Sequence, residues 1–144
     1  MDLTEIVVTR NIAASPEKIF DVWIDANSPG GPWFGAERLI LSPIVDGLFY
    51  LAIKHEGRTW PHYGRFLRID RPTCVEHTWV SEATKGVESV VRFELKSNGS
   101  NTEVTLRHRG VPDDKLGRQH KDGWTWALSA LAERFVGRQA EPPA

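Results

Sequence analysis

The stretch VESVVRFELKSNGSNTEVTLRHR, residues 87–109, constrains the fold more than any other part of this chain. Val87, Ser89, Val91, Phe93 and Leu95 fall on one side of an extended strand, and Glu88, Arg92 and Glu94 on the other. After the polar turn SNGSN, Val104, Leu106 and His108 alternate in the same way with Glu103, Thr105 and Arg107. A period of two with a short turn predicts an antiparallel hairpin. Apolar against charged faces mean that one side of the sheet is covered and the other is wet.

The remainder of the chain extends this pattern. LTEIVVTRNI (3–12), ERLIL (37–41), LFYLAIKH (48–55), TWPHYGRFLRI (59–69) and CVEHTWV (74–80) read as further strands, separated by the turns SPIVDG, EGR and DRPT. Pro61 places its strand at an edge or a bulge, because proline has no N–H to give a ladder. Between the first two strands, ASPEKIFDVWID predicts a helix. Ser15 is its N-cap, Pro16 its first residue, and Ile19, Phe20 and Trp23 form its apolar stripe. It ends before ANSPGGP, and Trp33 and Phe34 follow in an irregular segment.

The cover for the sheet is the last segment. Trp124, Leu128, Leu131 and Phe135 recur at helical spacing, Asp113 or Asp114 can cap the start, and Gly137 suits the stop before a frayed EPPA tail. A helix from Asp114 to Val136 would be roughly 34 Å long and would cross the sheet. Burying its four large apolar side chains contributes roughly 6–12 kcal/mol before entropy is counted. Gly123 costs on the order of 1 kcal/mol relative to Ala in such a helix, a cost that a close approach of its backbone to the sheet or a ligand would offset. Trp126 points away from Trp124, toward a loop or a partner surface such as a dimer face. The expected class is α+β, in a single domain spanning 1–144.

The net charge of -1 provides no field to draw nucleic acid or an anionic membrane, and no apolar run approaches the roughly 20 residues of a membrane span. Cys74, the single cysteine, excludes an internal disulfide. With no basic-then-apolar leader at the N-terminus, the expected location is the cytoplasm. His-Glu-x-x-His, paired cysteines, Gly-x-Ser-x-Gly and a phosphate-binding glycine loop are absent, so no metal or other cofactor is expected.

IAASPEKIFDVWID, DGLFYLAI, YGRFLRIDRPTCVEHTW, VESVVRFELKSNGSNTEVTLRHRGVPDD and HKDGWTWALSALAERF occur in an order that resembles the START-like, or SRPBCC, helix-grip superfamily. Within it the chain is similar to proteins named after the activator of the heat-shock-protein-90 ATPase. The resemblance implies a curved antiparallel sheet gripping a long C-terminal helix, with a hydrophobic cavity between them. The linker ANSPGGPWFGAE departs from the family pattern of a short second helix carrying two aromatics, and Trp33 and Phe34 stand where that pair would be.

Strand parity together with this resemblance nominates the lining of such a cavity: Phe49, Leu51, Phe66, Val91 and Phe93 from the sheet, Trp23 and Trp33 beside it, and Trp124, Leu128 and Leu131 from the helix. Trp60, His62, His77, Trp79 and His108 add polar atoms on inward rows. Each histidine is either a core group satisfied by the backbone or an anchor for a ligand carbonyl or hydroxyl. Three functions are expected from this set. The first is binding of a small hydrophobic or aromatic molecule, lipid- or polyketide-like. The second is a cyclase or hydrolase with His108, His62 or Asp122 as acid or base. The third is regulation of a chaperone ATPase.

Overall fold

The computed structural model describes residues 1–27, 33 and 36–136. The expectations for Phe34, for Gly137 as a helix stop and for the EPPA tail lie outside these residues. Seven strands form one antiparallel sheet: β1 (Leu3–Ile12), β2 (Arg38–Leu41), β3 (Leu48–His55), β4 (Arg58–Asp70), β5 (Cys74–Ser81), β6 (Ser89–Asn98) and β7 (Asn101–Pro112), in the order β1-β7-β6-β5-β4-β3-β2. β2 to β7 form a meander of neighbours, while β1 pairs along β7 from Leu3↔Pro112 to Ile12↔Thr102. The sheet is curved and carries the helices on its concave side, the helix-grip arrangement.

α1 (Pro16–Trp23) begins as its sequence dictates, with the Ser15 hydroxyl accepting from Lys18 N at 3.4 Å and Pro16 in the first turn. Ile19, Phe20 and Trp23 are its buried face. Arg71, from the β4–β5 turn, grips both Asp21 oxygens with Nε and Nη2 at 2.8 and 3.0 Å and ties the helix to that end of the sheet. The hydrogen bond from Arg71 holds the Asp21 carboxyl below its usual range.

The C-terminal helix is shorter than expected. It is broken at Gln119 into α2 (Lys115–Arg118) and α3 (His120–Arg134), the latter of 15 residues, or about 22 Å. Asp114 caps α2, accepting from Gly117 N at 2.7 Å. At the break the His120 imidazole takes the Gly117 carbonyl at 2.7 Å, so a side chain occupies a backbone acceptor of the first turn. Gly117 is also where α2 lies against the end of β7, since an added Cβ would run into Pro112 O. Gly123, by contrast, is exposed, and a Cβ there would meet nothing within 4 Å. Its presence is therefore not explained by a close approach to sheet or ligand.

Pro61 sits inside the sheet opposite Ala52, but β5 ends at Ser81, which faces His62. Pro61 thus lies one residue beyond the β4–β5 pairing, and its missing N–H costs no ladder bond on that side. Trp126 is half-buried and packs against the rim of the core, so it is no bare outward indole. Among the described residues no helix is long and apolar enough to cross a membrane.

Candidate functional site

The interior between sheet and helices has two ends. At the α1 end, the Trp23 indole stacks on Phe93 of β6 with centroids 4.0 Å apart and planes 5° from parallel. Trp33 lies 4.8 Å from Trp23, and its Nε1–H donates to Trp23 O at 2.8 Å. Trp33 meets Phe49 of β3 edge-on at 5.7 Å. Phe49 in turn stacks on the His77 ring of β5 at 4.0 Å and 13°. That stack crosses over β4, although alternate strands are about 10 Å apart. Position 64, opposite Phe49, is glycine, so no side chain stands between the two rings. A Cβ on Gly64 would strike Thr78 O. Phe66 closes the cluster, 6.1 Å from Phe49 and 5.8 Å from His77.

His77 is 1% exposed. Its Nδ1 lies 2.8 Å from Thr78 O, and because a carbonyl only accepts, Nδ1 carries the proton. Nε2 is then a bare lone pair, and it finds no partner. Burial pushes the imidazole pKa down to about 4, so the ring is neutral.

At the other end, where α3 begins, the same residue types are fully engaged. Trp124 Nε1–H donates to His108 Nδ1 at 3.0 Å, which puts the His108 proton on Nε2. That proton goes to Ser89 Oγ at 2.8 Å, and the Ser89 hydroxyl donates to Trp79 O at 2.6 Å. Trp79 Nε1–H donates to His120 Nε2 at 3.2 Å, and His120 Nδ1–H to Gly117 O at 2.7 Å. Two relays therefore stitch helix to sheet with every nitrogen assigned. His62 borders this end, with Nδ1 3.1 Å from Leu51 O and its ring 4.6 Å from Trp79. Burial first, with the backbone bonds opposing it, lowers His62 to about 4. Burial likewise lowers His120, and pushes His108 well below its ordinary value with the neighbouring imidazoles adding to the effect.

The residues nominated from sequence converge on this interior. Trp23, Phe49, Leu51, Phe66, Val91, Phe93, Trp79, Trp124, Leu128, Leu131, His62, His77 and His108 are all buried, and Trp33 is half-buried. Trp60 is half-buried at the hairpin end, with the Arg58 guanidinium 4.0 Å over its ring and its own Nε1 without a partner. Both nitrogens of His108, which the sequence offered as an acid or base, are bonded, to Ser89 and to Trp124. Asp122 is exposed on α3. Trp23, Trp33, Phe49, Trp79 and Trp124 close a ring of neighbours at 4.8, 5.7, 5.7, 5.0 and 6.4 Å. Ser89 and Gly64 are participants that sequence reasoning did not nominate, and His120 is a helix-start histidine that it weighed only as a polar anchor or acid–base group. Ser89 had the signal that marked His108, a polar residue in an apolar row.

The wet face of the sheet carries a lattice of ion pairs. Glu76 meets Arg92 at 3.5 Å and Arg109 at 3.4 Å, and Glu94 meets Arg92 at 3.5 Å and Arg107 at 3.1 Å. Arg68, Arg92, Lys96, Arg107, Glu94 and Glu103 border a groove of 330 Å³ there, with Cys74 at its side. Among the described residues, no group of His, Cys, Asp and Glu is placed to hold a metal ion.

Comparison with known proteins is specific about family and fold. The family model described as activator of Hsp90 ATPase homolog 1-like protein matches residues 13–135. A protein from Chromobacterium violaceum superposes with a TM-score of 0.79 at 17% identity, over 94% of this chain and 99% of its own. An Hsp90 activator from Plasmodium falciparum superposes with a TM-score of 0.73 at 22% identity, over 92% of this chain and 96% of that one. For an Aha1 dimer from Colwellia psychrerythraea the values are 0.70 and 17%, over 92% and 96%. No curated protein matches the sequence.

Proposed function

The chain belongs to the activator of Hsp90 ATPase homolog 1-like family, and from that premise we propose that it binds a small, ring-bearing apolar molecule in the interior between Trp33 and His77. One observation carries this reading. Among the described residues two buried side-chain nitrogens lack partners, His77 Nε2 and Trp60 Nε1, and both belong to inward rows of the sheet. The histidines and indoles at the α3 end are paired. An unsatisfied buried polar atom costs about 1–3 kcal/mol, and a ligand that supplies the missing partner recovers it. The aromatic faces around His77 supply contact area for a flat molecule. Entry requires the half-buried Trp33 to turn aside from Phe49, which breaks one hydrogen bond to Trp23 O.

The test is a titration with a naphthalene-type probe, read by calorimetry and by melting temperature. Saturable binding with a raised Tm is expected, as ligand linkage requires. Trp33→Ala should change that affinity, while Lys54→Ala, an exposed substitution at the end of β3, should not. No saturable response from the wild-type protein would end the reading.

A second reading has an observation of its own. The Plasmodium relative is described as an Hsp90 activator, and the wet face of this sheet offers a charged groove to a protein partner. Chaperone regulation predicts stimulation of Hsp90 ATPase that weakens on Arg92→Ala and with added salt. Unchanged ATPase turnover would dismiss it. The Colwellia relative is described as a dimer. Here Ile40, Tyr50, Tyr63 and Val80 line up across four strands on the wet face, and sedimentation equilibrium would show whether two copies meet there.

A further inference from the structure

The His77 site also indicates which molecules would be accepted, and this step rests on the ligand-binding reading above. We infer that the occupant is a neutral ring compound carrying a hydrogen-bond donor, a phenol or comparable aromatic alcohol, and that carboxylates are refused.

The argument begins with the tautomer. Thr78 O is an obligatory acceptor 2.8 Å from His77 Nδ1, so the proton is held there and Nε2 is an acceptor only. A hydroxyl can donate to it. A carboxylate has only lone pairs to set against it, and an ether or hydrocarbon offers nothing.

Charge reinforces the same choice. Among the described residues, the buried polar side chains are those of His62, His77, Thr78, Ser81, Thr84, Ser89, Thr102 and His108. No Lys, Arg, Asp or Glu is among them, so a ligand charge of either sign would be desolvated without a counter-ion. Neutral imidazoles do not substitute for one. Nor can His108 or His120 rotate to serve the ligand, because each is committed at both nitrogens. Shape points the same way. The face of His77 is covered by Phe49 at 4.0 Å and its flank by Phe66 at 5.8 Å, so a donor reaches Nε2 only in the plane of the ring. A flat aromatic alcohol lying among Phe49, Trp79 and Trp33 offers its hydroxyl in that way.

Three probes of one shape separate the possibilities: 2-naphthol, naphthalene and 2-naphthoate, titrated calorimetrically at pH 7 into the wild-type protein and into His77→Phe. Phenylalanine keeps a flat ring against Phe49 and removes the acceptor. Naphthol should bind about tenfold more tightly than naphthalene to the wild type, and naphthoate more weakly than either. In H77F the ratio of naphthol to naphthalene affinity should fall from about ten to about one. If H77F does not fold, side-chain ¹⁵N spectra of the wild-type protein decide: the His77 Nε2 resonance should move with naphthol and not with naphthalene. If none of the probes binds, both the ligand-binding reading and this inference are lost. If naphthalene binds and the hydroxyl adds nothing, or naphthoate binds as tightly as naphthol, the inference alone is overturned. An advantage that survives in H77F overturns it too.

Discussion

The two ends of the interior use the same side chains to opposite effect. Near the start of α3, Trp79, Trp124, His108, His120 and Ser89 form relays in which donors and acceptors are spent. Near α1, Trp23, Trp33, Phe49, Phe66, Phe93 and His77 pack ring on ring, and one imidazole nitrogen is left over. The first end fixes helix to sheet. The second has contact area and an unused acceptor, the combination a ligand needs. Burial and residue type are alike at both ends, so neither distinguishes them; the tally of hydrogen-bond partners does.

The largest effect expected is from acid, which attacks both ends together. His62 and His77 are held neutral by burial with pKa values near 4, against 6.5 for an exposed imidazole. Between those values the unfolded chain binds more protons than the folded one. Stability is therefore complete above about pH 6.5 and falls as the pH drops toward 4. The loss is about 3 kcal/mol for each of the two rings, and His108 and His120 add to it in the same direction. Urea midpoints measured from pH 8 to pH 4 check this, and a flat profile would mean that the imidazoles are not buried as neutral groups.

Single substitutions then separate the ends. His108→Leu strands Trp124 Nε1 and takes from Ser89 Oγ the N–H it accepts, and should cost about 3 kcal/mol in urea unfolding. Gly64→Ala forces a Cβ against Thr78 O, next to the strand position that carries His77. A loss of about 2–3 kcal/mol is expected, with the near-ultraviolet signal of the aromatic cluster altered. The smallest change belongs to His77→Phe, which keeps the stack and sets the loss of the Nδ1 bond to Thr78 O against removal of the buried orphan at Nε2. It should lie within about 1 kcal/mol of wild type. Equal costs for His108→Leu and His77→Phe would erase the distinction between the ends.

Much of the framework was readable in advance. Strict alternation in β6 and β7 marked Ser89, Val91, Phe93, Leu95, Val104, Leu106 and His108 as inward, and they are buried. Ser15 and Pro16 marked the start of α1, because capping is decided within one turn of chain. The break at Gln119 was not readable, since helical periodicity runs through it. It depends on the His120 ring reaching the Gly117 carbonyl while Trp79, 41 residues earlier, holds the ring's other nitrogen. The roles of the histidines were hidden for the same reason. His77 and His108 are indistinguishable as polar residues in apolar rows, and only their neighbours on other strands and on α3 separate them.

By itself the sequence determined which residues form strands, which face of each strand is apolar, and that an amphipathic segment must cover the sheet, because these depend on spacing along the chain. The tertiary structure decided that β1 closes onto β7, that Phe49 reaches His77 across Gly64, and that one imidazole is saturated while another is not. Those outcomes depend on distances between residues far apart in sequence, and periodicity carries no information about such distances.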